Sequence, residues 1–144
     1  MVTLRGGRPD IALVRGPESR GAMASMPLPP LGLLYVASSL EAAGVRVAVV
    51  DAPGEGLDQA GFLERVRMVG APVIGLSGMT PMRDRIARDV ALVRPLAEKI
   101  VLGGVHATHS RAAALAEFPG VDALVIGEGE GPAVGLMDWW GRAN

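Results

Sequence analysis

Lys99 to Thr108 reads K-I-V-L-G-G-V-H-A-T, an apolar run halted by two glycines and followed by a histidine. The run has the character of a buried strand. Gly103 and Gly104 carry no Cβ, so the backbone there is free to turn and to come close to a bulky neighbour. V-I-G-L-S-G-M-T (Val73–Thr80) and A-L-V-I-G-E-G-E (Ala123–Glu130) end the same way. Parallel-type strands that each run out into a small-residue loop predict a ligand site along one edge of a sheet.

The surrounding chain decides what kind of sheet. Ile11–Arg15 (I-A-L-V-R) is a first strand. A long loop, Gly16–Pro30, follows, and Pro30 suits the first turn of a helix. Leu31–Ala43 is that helix, with Leu33, Leu34, Ala37 and Leu40 on one face and Gly44 as its stop. Val45–Asp51 is the second strand, closed by Ala52-Pro53-Gly54, and Leu57–Val69 the second helix. Val73–Ser77 is the third strand. Met82–Glu98 is a helix with Ile86, Val90 and Val93 inward, a solvated Arg/Asp face and a last turn disturbed by Pro95. Ile100–Leu102 is the core of the fourth strand, Arg111–Glu117 a short helix, Ala123–Ile126 the fifth strand and Pro132–Trp140 a terminal helix.

Alternating strands and helices predict an α/β fold with a parallel sheet covered on both faces. Right-handed crossovers favour a flavodoxin-like (Rossmann-like), doubly wound five-stranded sheet of order 2-1-3-4-5. The ligand would then lie over the carboxyl ends of the strands, among the loops Gly16–Pro30, Ser77–Met82, Gly103–Ser110 and Gly127–Gly131.

Composition narrows the chemistry. The chain has 144 residues, the size of a single domain spanning 1–144, with 49% hydrophobic but 3% aromatic residues, so its core is aliphatic. Net charge is −1, which argues against a nucleic-acid partner. There is no cysteine, hence no thiolate ligand for zinc or an iron–sulfur cluster. The N-terminal residues lack an apolar signal-peptide region, and Leu31–Ala43 is too short and too polar to span a bilayer, so a cytoplasmic protein without membrane contact is expected.

The loops exclude familiar ligand classes. Gly127-Glu-Gly-Glu-Gly131 is glycine-rich, but Glu128 and Glu130 would repel a pyrophosphate, and it follows the last strand. No Walker A sequence occurs. A phospho-receiver needs acids after the first strand, where Arg15-Gly16 stands, and an aspartate where Ser77 stands. A flavin phosphate loop finds only Ser19 and Ser25. His106 reads either as a ligand or as a histidine hydrogen-bonded within its loop, and His109 as a helix-start residue. Met79 and Met82 either shape to a flat apolar surface or belong to the core. Glu128 and Glu130 either accept hydrogen bonds from ligand amides or are solvated.

Pro29–Gly44, Val47–Asp51, Val73–Thr80, Val101–Thr108 and Val121–Glu130, taken together in order and spacing, resemble the cobalamin-binding domain of cobalamin-dependent radical S-adenosylmethionine enzymes of methyltransferase type. The resemblance implies cobalamin with its corrin over the strand ends and its nucleotide tail between loops. Ser77-Gly78-Met79 and Gly103-Gly104 would line the tail channel, Glu128-Gly129-Glu130 would border the tail or the corrin amides, and Pro29–Leu31 would close the other side. The cofactor residues it implies are Pro30, Leu31, Ser77, Gly78, Met79, Thr80, Gly103, Gly104, Val105, His106, Gly127, Glu128, Gly129 and Glu130. None is implied as catalytic or as a metal ligand.

The Asp-x-His-x-x-Gly pattern that supplies a lower cobalt ligand in methionine-synthase-type domains is absent. Base-off binding without an axial histidine is therefore expected, with His106 a loop element beside the site. The cluster-binding cysteines of the radical domain are also absent, so the chain is expected to be an excised domain or a stand-alone module, not catalytic alone and serving a radical S-adenosylmethionine domain or protein of methyltransferase type. The other reading is a degenerate domain that has lost cobalamin and binds a protein through Trp139 and Trp140.

Overall fold

The computed structural model describes residues 7–18 and 28–143. Residues 19–27, the centre of the expected Gly16–Pro30 loop with Ser19 and Ser25, lie outside the described residues. Strands β1 (Ile11–Arg15), β2 (Val47–Asp51), β3 (Val73–Ser77), β4 (Lys99–Gly103) and β5 (Ala123–Leu124) form one parallel sheet in the order β2-β1-β3-β4-β5. This is the flavodoxin-like α/β topology expected from the sequence.

Period-two alternation sorts each strand between two cores. Ala12, Val14, Ile74, Leu76, Ile100 and Leu102 point to one face. There they meet Phe62 and Val66 of α3 (Gln59–Val69) and Ile86, Val90 and Val93 of α4 (Arg83–Val93). Ile11, Leu13, Val73 and Val101 point to the other, against Ala37 and Leu40 of α1 (Leu31–Ala42). The last helix, Glu130–Ala143, packs on that face through Ala133, Met137 and Trp140. No helix among the described residues is long and apolar enough to cross a membrane.

Several elements differ from expectation. Ala52–Glu55, read as a plain turn, is a short helix, α2, closed by Gly56 at φ 65°. The second strand begins at Val47 and the fifth keeps only Ala123–Leu124, since β5 is an edge strand held by β4 alone. The helix after β3 is regular only to Val93; Arg94–Leu96 is a 3₁₀ turn carrying Pro95 at its second position. The segment after β4 is not a loop: Gly104–Ser110 forms α5, followed directly by α6 (Ala112–Glu117). The His106 N–H donates to Gly78 O at 3.1 Å, so an unsatisfied N-terminal amide of α5 is met by the turn after β3. The terminal helix becomes α7.

The charged face of α4 is not wholly solvated. Asp89 is 3% exposed. It falls at helical spacing from Ile86 and Val93, on the inward face. Arg88 Nη2 donates to Asp89 Oδ1 at 3.0 Å, and Arg85 Nε stands 3.9 Å from Oδ2. Burial pushes the Asp89 carboxyl up from its ordinary value, against the lowering effect of Arg88. A Cβ on Gly16 would lie within 2.3 Å of this carboxylate, so the chain leaving β1 packs flat upon it.

Candidate functional site

A cavity of about 460 Å³ opens between the sheet and the pair α1 and α7, on the carboxyl side of the strands. That volume is within the range of small-molecule and cofactor sites. Its floor follows the strand register. Ser77 and Gly103 face each other across β3 and β4 at the rim. Two residues deeper, Leu13, Gly75 and Val101 form a row across β1, β3 and β4. Ile11 lies two residues deeper still. Four residues of strand correspond to roughly 13 Å, so the cavity is a channel rather than a dish. Leu33, Tyr35 and Val36 of α1 and Ala133 of α7 form the roof.

Missing side chains create this space. A Cβ on Gly75 would come within 2.7 Å of Leu13 Cδ2. With only hydrogen there, Leu13 lies across the strand and the floor stays low. A Cβ on Gly103 would meet nothing nearer than Val125 at 3.7 Å, so any larger side chain there has room to enter the channel. Gly103 has extended backbone, φ −121°. Gly104 differs. Its φ is +90°, and a Cβ would come within 2.6 Å of Ser77 Oγ and 2.9 Å of the Gly78 backbone. Gly104 is demanded by the close approach of two loops, and the space its side chain would need is already filled.

Thr108 joins two walls of the mouth. Its Oγ1 donates to Gly104 O at 2.9 Å and accepts from Gly127 N at 3.0 Å, tying α5 to the loop that leads into α7. Glu128, Gly129 and Glu130 continue that wall beside exposed Val105 and His109.

The structure therefore brings Ser77, Gly103, Gly104, Val105, Gly127, Glu128, Gly129 and Glu130 onto the cavity wall. Pro30 caps α1 and Leu31 begins it, exposed, outside the wall. Gly78, Met79 and Thr80 continue from Ser77 into the turn before α4 and are also off the wall. His106 is not a loop residue at the site. It sits in α5, 3% exposed, on the opposite face of the sheet. Its Nε2 donates to Glu117 Oε2 at 2.8 Å, Nδ1 meets Thr80 Oγ1 at 3.3 Å, and its ring packs edge-on against Phe118. Arg83 Nε donates to the other Glu117 oxygen at 2.6 Å. His109 is near the end of α5, not at a helix start, and it is the histidine on the wall.

Gly75 escaped the sequence reading, although a glycine inside an apolar strand signals close approach. Gly32, Tyr35, Val36 and Thr108 escaped as well. A helix face looks the same in sequence whether it covers side chains or a void.

Comparison with known proteins adds to this geometry. The B12 binding domain family matches residues 20–137. The anaerobic magnesium-protoporphyrin IX monomethyl ester cyclase of Rubrivivax gelatinosus is 31% identical over 123 residues, covering 83% of this chain and 22% of the cyclase. An uncharacterized methyltransferase of Pyrococcus horikoshii is 28% identical over 104 residues, 71% of this chain and 22% of that protein. The chain spans about a fifth of the length of the curated relatives it matches. Among solved structures, the radical S-adenosylmethionine methyltransferase TsrM of Kitasatospora setae, with cobalamin and a 4Fe–4S cluster bound, superposes with a TM-score of 0.77 at 19% identity, over 94% of this chain and 27% of that one. OxsB, a cobalamin-dependent S-adenosylmethionine radical enzyme with aqua-cobalamin and S-adenosylmethionine bound, gives 0.75 at 17% identity, over 94% of this chain and 19% of that one. These two share its fold. With the match taking in α1, strands β2 to β5 and the first part of α7, the chain belongs to the B12 binding domain family.

Proposed function

We propose that this chain binds cobalamin, with the nucleotide tail in the channel beneath α1 and α7 and the corrin over the carboxyl ends of the strands. The observation that carries the reading is the row Leu13, Gly75, Val101 below the rim pair Ser77 and Gly103: a flat, apolar slot floored by glycine. Such a slot fits a planar aromatic base better than it fits any side chain present. Ser77 would offer a hydroxyl at the rim. Glu128 and Glu130 would accept hydrogen bonds from the corrin amides. Cobalamin, when bound, supplies a cobalt centre that carries a methyl group or an electron.

Binding would be base-off and without an axial histidine. His106 is engaged by Glu117 and Thr80 away from the channel, which supports that part of the reading. The chain has no cysteine, so radical chemistry would need a cluster held elsewhere, in the same polypeptide or in a partner. The module would present cobalamin to such a radical S-adenosylmethionine domain. The competing reading, an interaction module without cofactor, has Trp139 in its favour, 64% exposed beside packed Trp140. The open channel speaks against it, because protein interiors normally fill such space.

Mixing the protein with hydroxocobalamin or methylcobalamin, followed by gel filtration, tests the proposal. Co-elution with a base-off visible spectrum is expected. Cobalamin that runs only at the small-molecule position would refute it.

A further inference from the structure

The channel differs in character from end to end. The Ser77 and Thr108 hydroxyls, the Glu128 and Glu130 carboxylates and His109 stand at the rim and mouth, and the one other hydroxyl of the lining belongs to Tyr35 on α1, a side chain 63% exposed. Thr108 Oγ1 is already committed to Gly104 and Gly127. Below the Ser77 and Gly103 pair, the wall is Leu13, Val101 and Ile11, roofed by Leu33 and Val36. The backbone there offers nothing either. β1, β3 and β4 each have a strand on both sides, so their N–H and C=O groups are used within the sheet.

We propose that this deep end selects the base of the nucleotide tail, admitting a benzimidazole and discriminating against a purine. The inference rests on the cobalamin reading above and goes beyond it to the class of cobamide accepted. A tail base is joined to its ribose through the five-membered ring. The six-membered ring therefore leads into the slot. In a benzimidazole that ring carries only carbon and its methyl groups, which match Leu13, Val101 and Ile11. In adenine it carries ring nitrogens and an exocyclic amine, which would leave water and find no partner. A site that strands a polar group in this way loses about 10- to 100-fold in affinity.

Calorimetric titration of the full chain with cobalamin, adeninyl cobamide and cobinamide, which lacks the tail, tests this. Binding of cobalamin about 10- to 100-fold tighter than adeninyl cobamide, with cobinamide weakest, is expected. Equal affinity for the two cobamides, with cobinamide still much weaker, overturns the selectivity while leaving the cofactor reading intact. Cobinamide binding as tightly as cobalamin overturns the use of the channel by the tail. Failure of every corrinoid to bind defeats the cofactor reading and this inference with it. Val101→Thr, a near-isosteric change on the deep wall, is expected to narrow the gap between the two cobamides. An unchanged gap in a variant that still binds cobalamin contradicts the assignment of that wall.

Discussion

Leu13 of β1 and Gly75 of β3 are register partners, and a Cβ on Gly75 would come within 2.7 Å of Leu13 Cδ2. The side chain that β3 omits is the reason β1 can lay its own across the sheet. The channel exists because of this exchange. Gly75→Val would force Leu13 upward into the channel and overpack the sheet. A loss of about 1–3 kcal/mol in stability is expected, together with loss of cobalamin retention. Chemical denaturation and gel filtration with hydroxocobalamin check the two effects separately.

Gly103 and Gly104 are adjacent but not equivalent. Gly104→Ala combines a left-handed backbone with a clash on Gly78, and should cost about 2–4 kcal/mol. Gly103→Ala has extended backbone and open space, and should stay within about 1 kcal/mol of the wild type. Urea melts of both variants decide this; similar costs for the two would contradict the distinction.

The strand order could be read from the sequence, and the cavity opens at the carboxyl ends of the strands, where the sequence points to a ligand. Continuous apolar runs and their terminal glycines report directly on a doubly covered parallel sheet. What could not be read depends on contacts between distant segments. Whether G-V-H-A-T-H-S is loop or helix turns on Gly78 O meeting the His106 amide. Which way His106 faces turns on Glu117, eleven residues on. The charge of Asp89 points to a solvated face, whereas its spacing from Ile86 and Val93 points inward, where it lies. Gly75 carries its signal openly, but inside an apolar run the strand pattern masks it.

The link between His106 and Glu117 has a signature in acid. The hydrogen bond from His106 holds the Glu117 carboxyl below its ordinary value of 4.5; burial opposes this and Arg83 reinforces it. A carboxylate whose pKa is lower in the folded chain than in the unfolded one adds stability above the unfolded value. That stability is lost as pH falls through the folded value. Below pH 4.5 the protein should therefore lose stability more steeply than Glu117→Gln, which lacks the titrating group. Thermal melts across that range check the slopes, and parallel slopes would contradict the linkage. Asp89 runs the opposite way: raised by burial, it removes stability as pH climbs above its ordinary 3.8, so its contribution partly offsets the acid loss.

His109 is the histidine at the channel mouth, and the account gives it no bond to cobalt. The paramagnetic resonance spectrum of the reduced, cobalt(II)-loaded protein is expected to show no nitrogen splitting from an axial ligand, in wild type and in His109→Ala alike. Nitrogen splitting that disappears in His109→Ala would reassign this residue as the lower ligand.

The channel itself is tested most directly by filling it from the helix side. Gly32 lies on the cavity wall in α1, and a Cβ there meets nothing within 4 Å. Gly32→Phe should preserve or raise helix stability, because glycine is the poorer helix former by up to about 1 kcal/mol. Wild type and variant are each mixed with hydroxocobalamin and passed over gel filtration, with circular dichroism melts as the control. The account predicts equimolar cobalamin on the wild-type peak and a colourless variant peak with an undiminished melting temperature. Equal retention by both, or none by the wild type, would contradict it.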